Sequence, residues 1–288
     1  MPNRLWLQRD DRRFGDEALL AGCALNGDGR VEASMGVDLG DYDGDGDLDL
    51  FITKFDGETN TLYRNDGRGQ FLDVTAGSGL GEPSFRLTGF GARFLDYDND
   101  GRLDLVVTNG RVIFPPGADL ARDPYPMAEP NLLFHNEGGG AFRDASVDAG
   151  AAFVVPMVGR GLATGDVDDD GDADLLVTAS SGPARLFLNR NGERQKWVGL
   201  RLVGTGGARD MPGAVAIATL DDGRELVRRV AADGSYASAS DPRILLGLDG
   251  ASAIARLRVR WPGGLVESFA PPPLRAYTTL RQGTGRTP

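Results

Sequence analysis

This 288-residue chain has one cysteine, Cys23, and one histidine, His135. A lone cysteine excludes an intrachain disulfide and any cysteine-based zinc site. It lies in a Gly/Ala-rich stretch with no basic neighbour, which argues against a reactive thiolate. With one histidine, a His-rich metal site is impossible, and a Ser-His-Asp triad would hinge on that single residue. His135 follows the aromatic of a hairpin, where other copies of the motif carry Leu7 and Arg64, so it reads as a strand-surface residue. No run of eighteen apolar residues occurs, so no segment reads as a membrane-spanning helix. The N-terminal residues 1–6 show no basic-then-apolar signal pattern. Neither a Gly-x-Ser-x-Gly elbow nor a Walker-type loop is found, and no catalytic residue is assigned.

What the chain does have is aspartate in a repeated arrangement. Three nine-residue loops read Asp-x-Asp-x-Asp-Gly-x-x-Asp, at 41–49, 96–104 and 166–174. Four carboxylates in nine residues repel one another unless a cation sits among them. Hard oxygen donors on a flexible loop suit Ca²⁺, which takes six to eight of them. The candidate ligands are Asp41, Asp43, Asp45, Asp47 and Asp49 in the first loop. In the second they are Asp96, Asp98, Asp100, Arg102 and Asp104, and in the third Asp166, Asp168, Asp170, Asp172 and Asp174. Positions 1, 3, 5 and 9 offer side-chain oxygens, and position 7 (Asp47, Arg102, Asp172) offers its backbone carbonyl. About three Ca²⁺ sites are therefore expected. An EF-hand would need a glutamate at position 12. Here that position holds Ile52, Val107 or Val177, inside apolar runs that read as buried strands at 48–55, 103–108 and 173–179.

The loops hold five, four and six acids, 15 of the chain's 42, and the other 27 face 31 Lys and Arg. The net charge of −11 thus originates in the loops, and three bound Ca²⁺ would bring it to −5. The arginines are scattered rather than gathered in a patch, which gives nucleic-acid binding no support.

A hairpin signature sets the period. Asn3-Arg4-Leu5-Trp6, Asn60-Thr61-Leu62-Tyr63 and Asn131-Leu132-Leu133-Phe134 are each followed, eleven residues after the asparagine, by Phe14, Phe71 or Phe142. Hairpin, acidic loop and strand recur as the units of a propeller or another β array. The only helical hint is a turn near 15–25. A fourth hairpin opens at Arg185-Leu186-Phe187-Leu188-Asn189, but no Phe-x-Asp closes it. The fold class is all-β: an incomplete or partial β-propeller followed by a small β-sandwich-like domain. About three units begin and end in mid-blade, so a second copy or a partner subunit is one way to complete the ring. After Gly192 the acidic loops stop. Strands are expected at 197–203, 214–220, 225–231, 244–248, 254–261 and 265–269, which divides the chain into 1–192 and 193–288. In 256–261 the alternation is strict, with Arg256, Arg258 and Arg260 on a solvated face or an anion-binding row.

On these residues the chain resembles the integrin-alpha-like FG-GAP/VCBS repeats of the cartilage acidic protein family, which precede an ASPIC/UnbV domain. The resemblance lies in 60–75, 91–109 and 131–144 for the repeats. For the terminal domain it lies in Gly206 to Ala214, Gly234-Ser235-Tyr236 to Asp241, Leu246-Gly247-Leu248 and Trp261-Pro262-Gly263-Gly264. It implies a seven-bladed propeller with calcium in the turn of each motif-bearing blade, extracellular or periplasmic, acting in adhesion or in binding a protein or glycan. Family members have more blades on the N-terminal side and a signal peptide. Two alternatives stand beside a non-catalytic binding module. One is an enzyme or biosynthetic accessory built on the propeller, and the other is a half-propeller subunit that needs a partner. A proline-rich insertion at 111–130, with Phe114 and Tyr125, is a candidate recognition loop or a packing element.

Overall fold

The computed structural model describes residues 1–9, 12–192, 195–206 and 209–287. The first hairpin's turn residues Asp10 and Asp11, Glu193 at the expected domain boundary, and Gly207 and Ala208 lie outside the described residues. The described chain is almost wholly β, with two four-residue helices, α1 (Thr75–Ser78) and α2 (Gly81–Ser84). Neither was expected from the sequence. The turn near 15–25 is present, with Ala21 N–H donating to Glu17 O.

The chain enters through a two-stranded hairpin, β1 (Trp6–Gln8) and β2 (Phe14–Asp16). A four-stranded antiparallel sheet follows: β3 (Ser34–Gly40), β4 (Asp49–Lys54), β5 (Thr61–Asn65) and β6 (Phe71–Asp73). A second has the same order: β7 (Gly89–Leu95), β8 (Asp104–Asn109), β9 (Leu132–Gly138) and β10 (Ala141–Asp144). The third has only three strands, β11 (Gly159–Gly165), β12 (Asp174–Ala179) and β13 (Arg185–Phe187). Each acidic loop joins the first strand of a sheet to the second, and its ninth residue (Asp49, Asp104 or Asp174) opens that second strand.

The sheets stack face to face, which explains why the second strands are apolar throughout rather than alternating. Leu50 and Ile52 pack toward Ala18, Ala21 and Cys23, while Phe51 between them points the other way, onto Phe94, Leu105 and Phe134. In the next sheet Leu105 and Val107 look back and Val106 looks forward, onto Leu162, Leu175 and Val177. The alternation ends at the third sheet, where Leu176 faces outward and is 44% exposed because, among the described residues, no further blade covers it.

Residues after 196 build two further sheets around one core. β14 (Trp197–Val203) lies between β17 (Ile244–Gly247) and β20 (Tyr277–Arg281). The second sheet has the order β16 (Glu225–Arg229), β15 (Val215–Leu220), β18 (Ile254–Arg260) and β19 (Val266–Phe269). Leu200, Leu202, Leu246, Leu257, Val259 and Trp261 fill the space between the two sheets, giving the expected sandwich. β20, which runs parallel to β14, was not anticipated. On β18, Arg256 and Arg260 are exposed, and Arg258 pairs with Glu225 at 3.1 Å. This is the solvated face rather than an ordered anion row.

Residues 231–243 of this part cross the blades. The first strand of each blade sheet, β3, β7 or β11, pairs on one side only. Ser235 N–H donates to Val37 O on β3 at 2.8 Å. Arg93 on β7 donates to the carbonyls of Ala231 and Asp233. Asp241 N–H donates to Thr164 O on β11 at 2.9 Å. One segment thus bonds all three inner strands, through backbone carbonyls of β3 and β11 and through a side chain of β7.

Candidate metal sites

The three loops fold alike because their backbones need the same unusual conformations. Position 4 is left-handed in every copy, and it is filled by Gly44 (φ 77°), Asn99 (59°) and Asp169 (58°), residue types that tolerate this region. Position 6 is glycine each time, with φ near +90° (Gly46, Gly101, Gly171). The position-1 carboxylate then accepts the position-6 amide: Gly46 to Asp41 at 3.1 Å, Gly101 to Asp96 at 3.0 Å and Gly171 to Asp166 at 2.9 Å.

The ninth aspartate is held by two backbone amides. Asp49 accepts from Tyr42 at 3.2 Å and Asn65 at 2.8 Å, and Asp104 from Tyr97 at 3.1 Å and Asn136 at 2.7 Å. Asp174 accepts from Val167 and Asn189, both at 2.8 Å. These asparagines, two residues after the hairpin aromatic, are structural residues the sequence reading did not single out. Their signal is plain in hindsight: Tyr63/Asn65, Phe134/Asn136 and Phe187/Asn189 share one spacing. Their side-chain amides donate to loop carbonyls: Asn65 to Leu48, Asn136 to Leu103 and Tyr42, and Asn189 to Tyr97.

Oxygens of Asp41, Asp43 and Asp45 lie within 4.8 Å of one another, as do those of Asp96, Asp98 and Asp100, and those of Asp166, Asp168 and Asp174. A fourth group joins Asp98, Asp104 and His135. The other expected ligands are engaged differently. Arg102 turns its side chain onto Asp100 and donates to Asn136 O at 2.7 Å. Asp170 faces Arg190 at 3.2 Å. Asp47 N–H donates to Asp45 at 3.0 Å. Asp172 is fully buried with neither carboxylate oxygen hydrogen-bonded.

Burial pushes these acids up. Asp41 and Asp98 rise to about 6, Asp49 and Asp172 to about 7, and Asp96 to about 8. Neighbouring carboxylates add to the rise in each, and Arg228 opposes it at Asp41 and Asp96. Asp96 Oδ1 is buried without a partner. Clustered, desolvated oxygen donors with orphaned atoms are what a hard divalent cation would satisfy, so the residues present fit Ca²⁺.

The sandwich supplies partners for the position-1 acids Asp96 and Asp166 and a nearby positive charge for Asp41. Arg228 reaches between the first two loops, 4.0 Å from Asp96 and donating to Gly101 O at 2.9 Å. Tyr277 O–H donates to Asp166 at 2.7 Å, while Arg243 bonds Asp166 O and Asp169. Trp197 packs against Gly171 so closely that no side chain fits there. None of these contacts could be read from local sequence.

Residues 41–107 match an FG-GAP-like repeat, 158–193 an FG-GAP repeat and 204–287 the family described as ASPIC and UnbV. The chain carries FG-GAP-like repeats and an ASPIC and UnbV region. The first two matches cover acidic loops with the strands they open, and the third covers most of the sandwich. Cartilage acidic protein 1 of Homo sapiens is 44% identical over 59 residues, 20% of this chain, and that of Mus musculus is 42% identical over the same length. Either match spans only 9% of the relative's length. A solved structure of an Agrocybe aegerita lectin, described as recognising non-reducing terminal N-acetylglucosamine, covers 94% of this chain and 73% of its own. At 16% identity and a TM-score of 0.35, that likeness is too low to define a shared architecture. Among the described residues no helix is long and apolar enough to cross a membrane.

Proposed function

We propose that this is a calcium-stabilised binding or adhesion module, non-catalytic, whose FG-GAP-like blades (1–192) are fixed by Ca²⁺ at the three acidic loops and buttressed by the ASPIC/UnbV part (193–288). The observation that carries the reading is convergence. In each loop three carboxylates meet within 4.8 Å, and the first of them is buried. Bound calcium would supply the positive charge those oxygens lack, so its binding energy becomes folding energy. The ligand would be a protein or glycan met by exposed loops, in an extracellular or periplasmic setting. The insertion at 111–130 is a candidate contact, since its base is pinned by Arg111 N–H to Met127 O while Ile113, Phe114 and Tyr125 stay exposed.

The test is thermal unfolding of wild type, Asp45→Ala and Asp100→Ala in millimolar calcium and in excess EDTA. Calcium should raise the melting temperature of wild type, and each substitution should lower it in calcium and narrow the gap to EDTA. Equal EDTA sensitivity in mutant and wild type would refute the reading.

One observation favours a second reading, a subunit completed by a partner. Among the described strands β13 pairs only with β12, and Leu186 and Leu188 beside its open edge are exposed. Light scattering separates the two readings, because a monomer that melts cooperatively argues against the second.

A further inference from the structure

The middle loop differs from its neighbours in one residue. The position after the hairpin aromatic, Arg64 in the first blade and Leu188 in the third, is here His135. It is not the strand-surface residue its position suggested, since its side chain is only 14% exposed. Its Nδ1 stands within ion-pair reach, 3.4 Å, of both Asp98 Oδ2 and Asp104 Oδ1, and neither contact has the geometry of a well-formed hydrogen bond although the atom is shut off from water.

That spacing is long for a hydrogen bond, which closes at about 2.7–3.2 Å. It suits two donors on one ion, because ligands at about 2.1–2.4 Å and right angles stand about 3.0–3.4 Å apart. The three donors are also held in place. Asp104 accepts two backbone amides, and Asp98 turns Oδ1 to the amide of Asp100, which leaves Oδ2 for the site. The Tyr97 ring meets the imidazole edge to face at 5.9 Å. Asp98 is shared with the neighbouring group of Asp96 and Asp100, in which Asp96 has a side chain 4% exposed and Oδ1 unpartnered. Imidazole nitrogen is a poor ligand for Ca²⁺ and a good one for zinc and its first-row neighbours.

We propose that the 96–104 loop, alone of the three, can exchange its Ca²⁺ for a first-row transition dication such as Zn²⁺ or Co²⁺ held through His135 Nδ1, Asp98 and Asp104. This rests on the reading that the loops hold cations at all. Cys23, the one thiol, is buried and does not compete as a soft site.

The test is to strip the full chain with EDTA, restore millimolar calcium and titrate with Co²⁺, following its visible absorption, and with Zn²⁺ by calorimetry. One equivalent should bind in the presence of calcium. His135→Leu, and the closer mimic His135→Gln, should each weaken Zn²⁺ and Co²⁺ binding by at least about tenfold, leaving the calcium-induced rise in melting temperature intact. The chain's single imidazole gives a further readout, because its nitrogen resonances should shift on one equivalent of Zn²⁺. If wild type binds no Zn²⁺ or Co²⁺ while calcium still stabilises it, or if both variants bind like wild type, the proposal is overturned and the calcium reading stands. If neither calcium nor zinc binds, both fall.

Discussion

The side-chain amide of Asn136 donates to the carbonyl of Tyr42, 94 residues earlier, at 2.8 Å. That one bond ties the hairpin of the second blade to the acidic loop of the first. Asn189 repeats it one blade on, donating to Tyr97 O at 2.7 Å. Asn136 and Asn189 are therefore rungs between blades as well as anchors within them.

Removing a rung should cost more than removing a surface charge. Asn136 is 1% exposed, and its side chain also donates to Leu103 O and accepts from the Gly138 amide. Asn136→Ala leaves buried carbonyls unpaired and should destabilise the protein by about 2–4 kcal/mol. Arg64→Ala, on an exposed face, should stay within about 0.5 kcal/mol. Urea unfolding at fixed calcium checks both.

Arg228 brings positive charge to the first two acidic loops. It is the basic group that opposes the raised pKa of both Asp41 and Asp96. Arg228→Met should lower stability in EDTA on the order of 3 kcal/mol by leaving buried acids without a counter-charge. Calcium should restore most of that loss, so the calcium–EDTA gap in melting temperature widens. An unchanged gap would show that the arginine does not act on the loops.

The pH dependence has a definite sign. Carboxyls whose pKa is raised on folding bind more protons folded than unfolded, so their contribution to metal-free stability is fully present below the ordinary carboxyl value of about 4. It falls as pH climbs through about 6 to 8, the values of Asp41, Asp98, Asp49 and Asp96. Calcium binding must release those protons, so its stabilising effect should grow from pH 5.5 to pH 8. Melting curves across this range, with calcium and with EDTA, test both slopes.

Two equivalent glycines should respond unequally. Gly46 and Gly171 share a φ near +95°, which costs any other residue about 1–2 kcal/mol. A side chain at Gly46 meets open space, whereas one at Gly171 strikes the Trp197 ring. Gly46→Ala should cost only the backbone term. Gly171→Ala should cost at least about 2 kcal/mol more and lower the near-ultraviolet signal of the tryptophan.

What the sequence made legible was whatever repeats at fixed spacing. Asp49, Asp104 and Asp174 announced themselves as loop ends and strand starts, and Tyr63 with Phe71 announced a hairpin. Arg228, Tyr277 and His135 did not, because each acts on a partner brought near only by folding. Tyr277 and Asp166 are 111 residues apart, and no periodicity links them. The asparagine rungs were visible as a spacing but looked like ordinary turn residues. Their partners lie in the preceding blade, where local pattern has no reach.

The segment at 231–243 also changes what a truncation would mean. Deleting the C-terminal sandwich would do more than remove a neighbour. It would free the Val37 and Thr164 carbonyls on the open edges of β3 and β11 and leave the buried Arg93 guanidinium on β7 without the carbonyls of Ala231 and Asp233. Open strand edges invite foreign strands, so the sandwich acts as a cover over the inner edge of the blades as well as a neighbour to them.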